Sequence, residues 1–121
     1  MGESLNQSQY SPLVLAYMGD AVYEQIIREK LVREGNRQVQ KLHREATKYV
    51  SASAQADKID SIMDRLTDEE KAIYKRARNA HAHAAPKNQD LIAYRKSTGF
   101  EAVIGWLYLR GEMERIMELI E

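Results

Sequence analysis

Cysteine is absent from the 121 residues, which excludes disulfide frameworks, thiolate zinc sites and cysteine nucleophiles. No apolar run approaches the roughly 20 residues needed to span a bilayer. The opening stretch, MGESLNQSQYSP, has neither the basic region nor the apolar run of a signal peptide. These gaps point to a cytoplasmic protein with no membrane partner. No segment alternates cleanly with period two, and there is no internal repeat or low-complexity tract, so neither strands nor a solenoid are expected. Net charge is zero, which offers no overall pull toward a polyanion. What is present is a globular composition, 44% hydrophobic and 30% charged, in a chain long enough for one domain with its own core.

Helical periodicity dominates, and the expected architecture is all-α. Residues 1–11 read as a polar, flexible N-terminal segment and residues 12–121 as the domain. Pro12 suits a first helical turn with Ser11 as its N-cap, and that helix should run to about Arg33 and stop at Gly35. Asn36 is positioned to cap a second helix through Leu42, Ala46 and Tyr49. VSASAQA (residues 50–56) is rich in small residues and reads as either a closely packed helix or a bend. Ile59, Ile62, Met63 and Leu66 continue a helical period. Thr67 with Glu70 is a capping box opening a fourth helix. Residues 79–89 (NAHAHAAPKNQ) lack an apolar period and contain Pro86, so they read as an exposed loop. Asp90 begins a further helix whose strongly apolar half is STGFEAVIGWLYLR (97–110). Gly111 breaks it, and an amphipathic terminal helix passes through Met113, Ile116, Met117 and Ile120.

Two carboxylates stand in apolar helical surroundings. Asp20 lies within AYMGDAVYE (16–24), among Leu15, Tyr17, Met18, Val22 and Ile26. Gly19 beside it costs a helix roughly 1 kcal/mol relative to alanine, which suggests that another backbone or a ligand comes close. Glu101 lies among Phe100, Val103, Ile104 and Trp106. A buried carboxylate must be paired, hydrogen-bonded or bound to a cation. Two of them on separate core helices are a recurring way to hold a hard divalent ion such as Mg²⁺, for which Mn²⁺ can substitute. The associated chemistry is phosphodiester hydrolysis. Glu24 shares a helix face with Asp20 and is either a further ligand or a surface acid. The pair His81 and His83 diverges at this spacing and makes a poor metal site.

Charge is distributed unevenly. Lys71 to Lys96 holds seven basic residues and one acid, a local charge of +6 that leaves −6 for the rest. The acids that normally pair with such bases are missing from this stretch. Lys75, Arg76 and Arg78 at helical spacings, with Lys87 and Asn88 following, suit contacts to phosphates; His81 and His83 are weaker candidates. Few aromatics are interleaved for base stacking, so a duplex read by shape fits better than a single strand.

Together these segments resemble the catalytic domain of the ribonuclease III family, most closely its compact bacterial form. LAYMGDAVYE resembles the signature helix and STGFEAVIGWLYL the second catalytic helix, while VSASAQA, KRARNAHAHAAPKN and YRKST resemble segments of the compact branch. The resemblance runs from about Leu13 to Leu109. It implies a homodimeric helical bundle in which Asp20 and Glu101 are catalytic carboxylates binding Mg²⁺. It also implies cleavage of double-stranded RNA to 5′-phosphate and 3′-hydroxyl ends, with the precursor of large-subunit (23S) ribosomal RNA as substrate. Only the catalytic domain is covered, so RNA affinity is expected to come from it, through the stretch from Lys71 to Lys96. Two positions depart from the longer family members. Ala16 stands where an acid precedes the signature Asp by one turn, and Thr98 where an acid lies three residues before Glu101. That thinned set leaves the number of ions open. It also keeps a second reading in view, a non-catalytic duplex-RNA-binding or ribosome-assembly module on the same fold.

Overall fold

The computed structural model describes residues 10–80 and 90–121, and among these there is no strand. Ser11 accepts a hydrogen bond from the Val14 amide (3.2 Å) and Pro12 occupies the first turn, so helix α1 (Pro12–Glu34) starts where the sequence places it. α2 (Val39–Val50) begins later than expected, after Gln38 rather than Asn36. The intervening Arg37 is held by Glu45 (2.5 Å), by the Leu31 carbonyl (2.5 Å) and by the Gly35 carbonyl (3.3 Å). That cluster keeps residues 35–38 out of the helix. The small-residue segment resolves as a helix, α3 (Ala52–Ile62), with Ser51 capping the Ala54 amide. Its period stops at Ile62, where a 3₁₀ turn (Met63–Arg65) takes over.

α4 (Asp68–Arg78) opens with the expected capping box. Thr67 Oγ1 accepts from the Glu70 amide (3.1 Å) and Glu70 accepts from the Thr67 amide (2.8 Å). α5 (Leu91–Leu109) is capped by Asp90, and Gly111, with φ of 76°, turns the chain into α6 (Met113–Ile120). α5 is the centre of the bundle, in contact with α1, α3, α4 and α6. That is why it is apolar almost all round, burying Phe100, Ala102, Val103, Ile104, Trp106 and Leu107. Phe100 meets Tyr23 of α1 edge to face, centroids 4.9 Å apart. No helix among the described residues is long and apolar enough to cross a membrane.

Candidate active site

The site follows from how closely α1 and α5 cross. A Cβ on Gly19 would overlap the carbonyl of Glu101, and one on Gly105 would overlap the carbonyl of Leu15. Each glycine therefore admits the backbone of the other helix, which answers the question Gly19 raises in the sequence. Such a crossing brings the neighbouring side chains of the two helices within reach of one another. Asp20 follows Gly19 on α1, and Glu101 supplies the carbonyl that Gly19 accommodates.

The two carboxyl groups meet and share a hydrogen bond. Asp20 is exposed and Glu101 half-buried. Burial pushes the Glu101 carboxyl up to about 8, and the negative charge and hydrogen bond of Asp20 add to the effect; a hydrogen bond from Gln55 works the other way. Near neutral pH the pair thus retains a proton between its oxygens. A divalent cation can replace that proton, because it neutralises both carboxylates at once and relieves their repulsion.

Gln55 is the residue that the sequence reading missed. It lies on α3 with 1% of its surface exposed, and its amide reaches Glu101. A signal was present: Gln55, Ile59 and Ile62 fall on one stripe, and all three are buried. A polar side chain on an otherwise apolar stripe marks an inward-facing hydrogen bond.

The remaining sequence candidates are arranged differently. Glu24 turns to Arg28, with contacts of 3.0 and 3.1 Å, and among the described residues no group of three His, Asp or Glu side chains gathers to hold a metal. Ala16 is buried in the core, and Thr98 donates its hydroxyl to the Tyr94 carbonyl (3.1 Å), so neither position adds a ligand. Lys75 and Arg76 are exposed on α4. Arg78 is half-buried, donating to Asn79 (3.2 Å) and lying over the Tyr74 ring at 5.5 Å. Lys96 pairs with Asp60 of α3 at 2.9 Å. An acid distant in sequence therefore offsets part of a charge excess that looked unpaired. His81, His83, Lys87 and Asn88 lie outside the described residues.

Residues 13–112 match the Ribonuclease III domain. The chain belongs to the ribonuclease III family. It is 50% identical to a Mini-ribonuclease 3 of Thermoanaerobacter sp. (strain X514), over 92% of this chain and 78% of that protein. Against the Mini-ribonuclease 3 of Streptococcus pneumoniae (strain R6) it is 48% identical, over 89% of this chain and 86% of that one. A crystal structure of a protein from Fusobacterium nucleatum superposes with a TM-score of 0.89 at 32% identity, covering 97% and 95% of the two chains. The family resemblance read from the sequence is thereby established, and with it the helical ribonuclease III fold and an endoribonuclease activity. Enzymes of this family act on double-stranded RNA and depend on divalent metal ions.

Proposed function

We propose that the protein is a Mg²⁺-dependent endoribonuclease in which Asp20 and Glu101 are the catalytic carboxylates. The observation that carries this is the carboxyl pair itself, formed by two residues 81 positions apart and held at a glycine crossing. The donor set suits the ion. Mg²⁺ needs only one or two protein carboxylates, the rest of its shell coming from water and substrate phosphate, and Mn²⁺ accepts the same ligands. When bound, the ion supplies an acidified water and neutralises charge building on the phosphate. The protein's own contribution is to hold both carboxylates on rigid helices and to give up the proton they share. Glu24, committed to Arg28, is at most an orienting group.

On this reading the products carry 5′-phosphate and 3′-hydroxyl ends, residues 12–121 form the catalytic domain, and the precursor of large-subunit (23S) ribosomal RNA in the cytoplasm is the natural substrate. Lys75, Arg76 and Arg78, with Lys87, Asn88, His81 and His83 beyond α4, would bind the duplex through its phosphates. A homodimer is supported by the outward face of α1. Tyr17, 82% exposed and one turn before Asp20, leaves with Val14 and Val32 exposed apolar surface along α1 that a second copy would cover. Two such sites would then cut the two strands. The test is to incubate purified protein with a long RNA duplex in Mg²⁺, with and without excess EDTA. Short duplex fragments in the first and intact RNA in the second are expected. Cleavage that EDTA leaves untouched would refute the metal assignment.

A further inference from the structure

Gln55 is buried deeper than either acid, on a stripe of α3 that is otherwise apolar. Ile59 and Ile62 continue its stripe, and a leucine would fill the same space without a polar group to satisfy. Leaving one buried amide end without a partner costs about 1–3 kcal/mol. The structure shows this cost: Gln55 donates to Glu101 while its Oε1 is buried with no hydrogen-bond partner. Among the described residues only one other buried side-chain atom, Trp106 Nε1, is in that condition.

An amide retained at such a cost, touching one member of the acid pair, has its explanation in that pair. We propose that Gln55 is a positioning residue for cation binding: from α3 it holds the Glu101 carboxylate toward Asp20. The inference rests on the reading of Asp20 and Glu101 as cation ligands. Without the amide, Glu101 is free to rotate, and the ion must order it on binding. Partners that orient a ligand in this way are typically worth about 10- to 100-fold in metal affinity.

The probe is Mn²⁺ alone, with binding followed by the electron paramagnetic resonance of the free ion. The proteins are wild type, Gln55→Leu, Gln55→Met and Glu101→Gln. Both Gln55 variants are expected to bind Mn²⁺ about 10- to 100-fold more weakly than wild type, with metal-free thermal midpoints equal or higher. Their deficit in duplex cleavage should recover as Mg²⁺ is raised. A residue that merely packs would shift the midpoint and leave the affinity alone. Affinities within twofold of wild type in both Gln55 variants, alongside lost binding in Glu101→Gln, would overturn the role of Gln55 only. Unchanged binding in Glu101→Gln would remove the ligand reading, and this inference with it.

Discussion

Glu101 has two opposing demands placed on it by its surroundings. Burial and the nearby Asp20 raise its carboxyl to about 8 from the ordinary 4.5, so the folded protein keeps a proton that the unfolded chain has already released. Between about pH 4.5 and pH 8 the folded state binds more protons, so stability falls as pH rises through that window, and the full penalty is present above it. Thermal midpoints in EDTA should therefore show Glu101→Gln gaining on wild type from pH 5 to pH 8 and holding its lead beyond. A constant gap would mean that the proton is not there. Cation binding must expel the same proton, so Mn²⁺ affinity should rise about tenfold per pH unit up to about pH 8 and then level off. Calorimetric titrations at several pH values would show this, and a flat profile would contradict it. Asp20 was legible in the sequence because a glycine and an acid interrupt an apolar helix. The shared proton was not, since it depends on where Glu101 lands.

At the scale of helices, the close approach of α1 and α5 is the structural device behind the site. Alanine at Gly105 would drive a methyl group into the Leu15 carbonyl, and backbone cannot yield as a flexible side chain does. Gly105→Ala is expected to cost about 3 kcal/mol in urea unfolding, and any folded fraction should cleave poorly because α1 carries Asp20 away. Normal stability would show that the helices have room to spare. A second inter-element lock joins α4 to α6. Arg115 donates to both oxygens of Glu70, at 2.8 and 2.9 Å, and to the Arg65 carbonyl at 2.8 Å. Burial pushes the Glu70 carboxyl up, but Arg115 and the Thr67 amide outweigh it and hold the group below its usual range. Arg115→Ala strands a buried carboxylate and should lose about 3 kcal/mol, while Glu101 chemistry stays intact in the folded fraction. The N-caps at Ser11, Thr67 and Asp90 and the break at Gly111 were readable because their partners lie within a few residues. The α2 start and the 45-residue reach from Glu70 to Arg115 were not, because tertiary hydrogen bonds decide them.

For the whole molecule, charge and apolar exposure define what can bind. The +6 stretch predicts that Lys75→Ala or Lys87→Ala weakens binding to every duplex sequence alike. Each change should lower the slope of log affinity against log salt by about 1. An unchanged slope would place the RNA elsewhere. Sequence overstated this patch, since Asp60 reaches Lys96 from another helix. The overall fold was nearly all readable, because the helices among the described residues are amphipathic or apolar and four of them, α1, α3, α4 and α5, carry a local side-chain cap. Its one functional surprise, Gln55, depends on α3 being a helix rather than a bend. The central claim is that Asp20 and Glu101 form one cation-binding catalytic pair, and the most direct measurement is cleavage of a long RNA duplex in Mg²⁺ by wild type, Asp20→Asn and Glu101→Gln. The account predicts that both variants fold and bind the duplex in Ca²⁺ yet cut it at least about a thousandfold more slowly. Either variant cutting at the wild-type rate would contradict it.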